Sequence, residues 1–184
     1  MLDSFFAVFF IVLVVPAIIL AYKNKSKYKL PRKEDLLFEI PGLVILLALV
    51  YVSFQNIEDI TFTGPTPYMV LGAVMFIVSL IIRISAHMTI GSNYSWALEI
   101  REGHTLVKNG LYRYVRHPIY LGTILGAMSI PVFTASLMGF LIGLLTFPLF
   151  VYRIIIEEKM LIEEFGDEYL EYIEETWRLV PLLY

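Results

Sequence analysis

Two short stretches hold most of the residues in this chain that could do chemistry. They are Arg116-His117-Pro118-Ile119-Tyr120 and, after a long uncharged run, Arg153-Ile154-Ile155-Ile156-Glu157-Glu158. Pro118 lacks an N–H and suits the first turn of a helix, while the residue before a proline is pushed out of the helical region. An imidazole and a guanidinium therefore stand at the mouth of an apolar helix. At the far end of the same run Arg153 and Glu157 are four residues apart and share a helix face. Interfacial anchoring is the ordinary role of Arg and Lys at such mouths and is the reading given to Arg113; a plain ion pair would account for Arg153 with Glu157. If His117, Tyr120, Arg153 and Glu157 converge on one membrane face, they suit a polar, zwitterionic ligand better than a packed core.

The element that must bring them together is the run itself. Nothing from Pro118 to Tyr152 is charged, and as one helix its roughly 35 residues would extend about 52 Å, well beyond a hydrocarbon core of about 30 Å. It must turn back, and the corner is expected at Pro131 to Ser136. The result is a helical hairpin whose two ends meet at one leaflet, with Gly122, Gly126, Gly139 and Gly143 available for close packing.

The remainder of the chain fits a membrane setting. Its 184 residues are 58% hydrophobic with a mean hydropathy of +0.74, too apolar for an ordinary soluble domain. A first apolar run, Ser4 to Tyr22, has no basic n-region or small-residue cleavage site and reads as a retained anchor, kinked at Pro16. A linker carrying Lys23, Lys25, Lys27, Lys29, Arg32 and Lys33 precedes a second span from Ile40 to about Phe54. After Gly64-Pro65-Thr66-Pro67, a third runs from Tyr68 to Ile82 with Arg83 as its stop. Five spans result. If the first linker is inside, all 14 Lys and Arg fall on that side and only Asp3, Glu58 and Asp59 remain outside. This sets the N-terminus outside and the C-terminus inside.

The expected architecture is thus an all-α integral membrane protein of one domain. Three N-terminal spans (1–83) lead to a cytoplasmic loop (84–117), a helical hairpin (118–152) and a cytoplasmic C-terminal segment (153–184). That last segment alternates acidic residues with Leu161, Ile162, Phe165, Tyr169, Tyr172 and Ile173 and reads as an amphipathic helix turned at Gly166. It is too acidic to seek anionic lipid. It is expected to fold over the basic loop and close a cavity, the bland alternative being a solvated acidic face.

Several chemistries are disfavoured. There is no cysteine for a disulfide, thiolate ligand or nucleophile. His87, His104 and His117 lack metal-site spacing, so no metal is expected. No G-x-S-x-G elbow or phosphate-binding glycine motif is present, and no aromatic platform accompanies the basic linker, so nucleic acid is not an expected partner.

One ordered set of residues is similar to a known family. Gly110-x-Tyr112, Arg116-His117-Pro118-x-Tyr120-x-Gly122, Glu157-Glu158-x-x-Leu161, Phe165-Gly166-x-x-Tyr169-x-x-Tyr172 and Arg178-x-x-Pro181 resemble the isoprenylcysteine carboxyl methyltransferase family over roughly Trp96 to Pro181. The resemblance implies a methyl transfer from S-adenosylmethionine to the carboxylate of a lipophilic, prenylated substrate that enters from the bilayer. It implies cofactor contacts at His104, Thr105, Leu106, Val107, Tyr112, His117, Pro118, Ile119, Tyr120 and Glu157, with Arg153 at the substrate. A further family contact falls near Ala97, whose side chain offers nothing polar. A sulfonium is already activated and a carboxylate is already nucleophilic at neutral pH, so positioning in a site that excludes water is the main task. Arg153 and Glu157 are accordingly the residues expected to carry the reaction, Arg153 orienting the substrate carboxylate and Glu157 holding cationic or hydroxyl groups of the cofactor. Three alternatives stay open at this point: a phospholipid or lipid-amine N-methyltransferase, a membrane reductase using NADPH, which shares the R-H-P-x-Y-x-G mouth, and a non-enzymatic scaffold.

Overall fold

The computed structural model describes residues 33–55, 66–94, 103 and 105–181. The first apolar run, nearly all of the basic linker, Glu58, Asp59, Ala97, Arg101 and His104 lie outside the described residues. Within them the fold is helical: α1 (Lys33–Gln55), α2 (Pro67–Ile90), α3 (Pro118–Phe133), α4 (Leu137–Leu144), α5 (Thr146–Phe165) and α6 (Asp167–Glu175), with 3-10 turns at Gly91–Asn93 and Gly110–Arg113. Three segments are long and apolar enough to cross a membrane: Asp35–Gln55, Pro67–Ile90 and Leu137–Phe165, the last joining α4 and α5 across Leu145. The chain is an integral membrane protein, and its side chains are distributed accordingly. Large apolar groups such as Leu37, Ile40, Leu43, Val70, Leu71, Ile77 and Ile81 face outward, whereas Ser53, Ser79, Ala86 and Ser129 are buried between helices. In lipid the outer face costs nothing, and small inward residues let backbones approach.

The uncharged run does turn back at the expected corner. Helix α3 ends at Phe133, and Ser136 caps α4 by accepting from the Gly139 N–H at 3.1 Å. Part of the expected glycine packing within the hairpin is present, since Gly139 and Gly143 approach Pro131 and Met128 of α3, and part is not. Gly122 and Gly126 do not seal the hairpin; they face α2, where Cβ atoms would come within 2.6 Å of Arg83 Cγ and 3.0 Å of Ser79 Oγ respectively. Gly139 faces Ser53 of α1, and Gly143 lies against both Met128 of α3 and Leu49 of α1.

A second correction concerns the third span. Arg83 does not end it, since α2 continues through His87 to Ile90 and the expected loop therefore begins about two turns later. A charge marks where a helix leaves lipid; it removes no backbone hydrogen bond and so need not stop the helix itself. The stem of Arg83 lies along the groove left by Gly122, and His87 Nδ1 lies 2.8 Å from the Arg83 carbonyl.

The segment Leu137–Phe165 has 29 residues, about 43 Å of helix, more than a hydrocarbon core needs, so its C-terminal end projects beyond lipid. Gly166 then stops α5 with φ of 54° and no atom within 4 Å of a would-be Cβ, so backbone conformation alone asks for glycine. After α6 the tail runs extended and pairs in parallel with the approach to α3. The Trp177 N–H donates to Tyr114 O (3.0 Å), the Arg116 N–H to Trp177 O (2.8 Å) and the His117 N–H to Arg178 O (3.2 Å).

A close approach between helix backbones yields a test. A Cβ at Gly72 would lie 2.6 Å from backbone atoms of Phe133, which cannot swing away, whereas one at Gly42 would meet nothing within 4 Å. Gly72→Ala is expected to destabilise the detergent-solubilised protein by about 1–3 kcal/mol through overpacking. Gly42→Ala should leave the thermal midpoint equal or raised, because alanine favours the helix.

Candidate active site

The site is built where the start of α3 meets the emerging end of α5. His117 adopts φ of -121° and ψ of 58° ahead of Pro118, outside the helical region that a following proline disfavours, and it is buried. Its ring stacks on Tyr120 with centroids 5.5 Å apart and planes 9° from parallel. Tyr120 stands between the two charged residues of α5: Arg153 Nε donates to Tyr120 Oη at 3.0 Å, and that hydroxyl donates to Glu157 Oε2 at 2.5 Å. The four-residue spacing of Arg153 and Glu157 thus brackets one phenol.

The adjacent carboxylates of α5 have different surroundings because successive helix residues point about 100° apart. Glu157 is one-third exposed, whereas Glu158 is buried among cations. Glu158 Oε1 lies 3.0 Å from Arg116 Nε and 3.4 Å from His117 Nε2, and Oε2 lies 2.8 Å from an Arg178 nitrogen. Arg116 also donates to the carbonyls of Ile173 (3.1 Å) and Thr176. Arg116 therefore fastens the loop to the C-terminal segment, and Glu158 neutralises it.

A cavity of about 120 Å³ opens between loop, hairpin mouth and C-terminal helix. Thr105, Leu106, Val107, Tyr112, His117, Pro118, Ile119, Tyr120, Arg153 and Glu157, every nominated residue that is described, line it together. Gly110, with φ of 58°, opens the turn that buries Tyr112. Asn93 fixes the loop by donating to Thr105 O and Oγ1 at 3.2 and 3.1 Å. Sequence reasoning did not assign a site role to Tyr169 or Tyr172, which also line the cavity, although their motif was noted. Tyr172 donates to the Tyr112 carbonyl at 2.5 Å, whereas the buried Tyr169 hydroxyl has no hydrogen-bond partner among the described residues. Burial raises the hydroxyls of Tyr112, Tyr169 and Tyr172 above the usual phenol range, with Glu157 adding at Tyr112 and Glu158 and Glu157 adding at Tyr169. All three stay neutral and can donate.

Two further residues escaped the sequence reading. Asp35 Oδ1 lies 3.5 Å from an Arg153 nitrogen, and the Phe38 ring centroid lies 4.7 Å from Arg153 Cζ. An acidic residue at the start of an apolar span was the available signal.

The Glu158 cluster generates a stability prediction. Glu158→Ala leaves the buried Arg116 without its carboxylate, an expected loss of about 3–5 kcal/mol. Thermal unfolding in detergent should show it, together with faster hydrogen exchange at the Arg116 and Trp177 amides.

Comparison with known proteins agrees with this architecture. The model of the "Isoprenylcysteine carboxyl methyltransferase (ICMT) family" matches residues 71–163. Protein-S-isoprenylcysteine O-methyltransferase of Dictyostelium discoideum is 33% identical over 160 residues, covering 83% of this chain and 66% of that protein. Methanethiol S-methyltransferase 1 of Bradyrhizobium diazoefficiens is 45% identical over 71 residues, 39% of this chain and 24% of its own. The solved eukaryotic intramembrane Ras methyltransferase ICMT superposes with a TM-score of 0.63 at 23% identity, covering 80% of this chain and 53% of that one. This chain spans less than two thirds of the length of each of these relatives. The family match, covering half of the sequence, and the shared fold lead to one conclusion: the chain belongs to the isoprenylcysteine carboxyl methyltransferase family.

Proposed function

We propose that this chain methylates the carboxylate of a lipophilic acceptor, such as a C-terminal isoprenylcysteine, with S-adenosylmethionine as donor. The observation that carries the reading is the convergence of a buried guanidinium, Arg153, and a partly exposed carboxylate, Glu157, on the Tyr120 hydroxyl at the wall of one cavity. The residues present fit the donor. The Tyr169 hydroxyl, without a hydrogen-bond partner among the described residues, offers a donor to a polar ligand, Glu157 offers an anion to an ammonium or ribose hydroxyl, and Tyr112, Tyr169 and Phe165 offer aromatic or apolar surface. Thr105, Leu106, Val107, His117, Pro118, Ile119 and Tyr120 would complete its pocket, with His104 preceding them in sequence. When bound, S-adenosylmethionine supplies an already activated methyl group. Arg153 orients the acceptor carboxylate, Glu157 and Tyr120 hold the polar end of the donor, and Met160, Leu161 and Phe165 help keep water out. The apolar tail of the acceptor would lie in the bilayer beside α2 and α5.

The same proposal includes the topology: five spans, of which the first is Ser4 to Tyr22, N-terminus outside, with the loop, the hairpin mouth and the amphipathic C-terminal helix on the cytoplasmic face. A second acceptor class, a small thiol, is favoured by the 45% identity over 71 residues to a methanethiol S-methyltransferase.

Calorimetry on the detergent-purified protein tests the donor. Micromolar binding of S-adenosylmethionine that is lost in Glu157→Ala is the expected result; binding of NADPH in its place would overturn the assignment. With an acceptor panel of a farnesylcysteine, a lipid amine and methanethiol, methyl ester should form on the first. Arg153→Ala should raise the acceptor KM roughly 10- to 100-fold, as loss of a charge-assisted contact implies, while donor affinity is retained.

A further inference from the structure

The Arg153 guanidinium is already provided with an anion by the protein. Asp35 stands at the start of α1, far from α5 in sequence and outside the residues 71–163 that match the family. Its side chain is 1% exposed and its Oδ1 lies 3.5 Å from an Arg153 nitrogen. The same end of α1 brings Phe38 over Arg153 Cζ at 4.7 Å, and Phe38 is held edge-on against Phe150 at 5.3 Å. Tyr120 takes Nε. The cation assigned above to the acceptor carboxylate is thus flanked by a hydroxyl, an aromatic face and a fixed carboxylate.

We infer that Asp35 is a positioning residue that competes with the acceptor carboxylate for Arg153 and so limits how tightly the anionic acceptor is held. The inference rests on the reading of Arg153 as the acceptor's partner. An acceptor carboxylate approaching Arg153 meets attraction from the guanidinium and opposing repulsion from Asp35, which reduces the net charge contribution to ground-state binding. That matters for the rate. Methyl transfer removes negative charge from the carboxylate oxygen, so a strong ion pair in the ground state would weaken toward the transition state and raise the barrier. The ester product carries no charge, and Asp35 is in place to re-engage Arg153 as it leaves. Affinity then comes from the apolar tail, which is the same in acid and ester.

The test compares N-acetyl-S-farnesylcysteine with its methyl ester and its carboxamide. Binding to the intact protein with S-adenosylhomocysteine present is followed by tryptophan fluorescence. Wild type should bind the acid and the two neutral forms within about threefold of one another. Asp35→Asn should favour the acid by tenfold or more, lower its KM and lower kcat. Asp35→Glu, which keeps the charge, should restore the wild-type ratio. An acid-to-neutral ratio unchanged in Asp35→Asn, or a wild-type preference for the acid above tenfold, overturns the role of Asp35. The wild-type ratio decides the matter alone if Asp35→Asn does not fold, as judged by its S-adenosylmethionine binding. A wild-type protein that binds S-adenosylmethionine but none of the three acceptor forms overturns instead the acceptor class on which the inference rests.

Discussion

A carboxylate taken out of water must find positive charge or give up its own, and in this protein that requirement falls on Glu158. Its two oxygens are shared among Arg116, Arg178 and the His117 ring, residues from the loop, the tail and the mouth of α3. Because the group sits on α5, satisfying it draws two separate segments, the loop leading into α3 and the tail, against one helix. The parallel backbone pairing of Tyr114–His117 with the tail does the same work in hydrogen bonds, and Arg116 reinforces it at the carbonyls of Ile173 and Thr176. Such a cluster is not cheap to bury, and its gain is geometric: each ion leaves the others uncompensated if it moves. The loop, the tail and α5 are tied together around the cavity for this reason.

Lipid and water divide the rest of the structure. Helices α1 and α2 turn their large apolar residues outward and meet their neighbours through glycine and serine, because between helices in a bilayer close packing replaces the hydrophobic effect. The hairpin is short on one arm and long on the other. The arm Leu137–Phe165 outlasts the hydrocarbon core, so Arg153, Glu157 and Glu158 sit where the helix leaves it. Arg153 and Glu158 there are shielded from water by protein, and Glu157 is one-third exposed. A polar ligand and a greasy one can meet only at such a boundary.

Charge inside the site is closely balanced. Arg153 faces Asp35 on one side and, through Tyr120, Glu157 on the other, while Arg116 and Arg178 are matched by Glu158.

Much of this was legible in the sequence because it is local. The length of the uncharged run requires a turn, Pro118 forces the His117 backbone out of the helix, and Gly166 ends α5, each decided by a few neighbouring residues. The meeting of His117, Tyr120, Arg153 and Glu157 followed from the same hairpin geometry. The sequence could not say that Tyr120 would stand between Arg153 and Glu157, that Glu157 and Glu158 would face different surroundings, or that Gly122 would face α2 and not the second arm. These depend on the rotation of each helix about its own axis, which packing against every neighbour sets at once. Nor could it bring Asp35 to Arg153, because no local pattern records which distant span will lie beside α5. Local chemistry determined where the uncharged run turns and where α5 stops; only the tertiary structure decided how far α2 extends and which charge meets which.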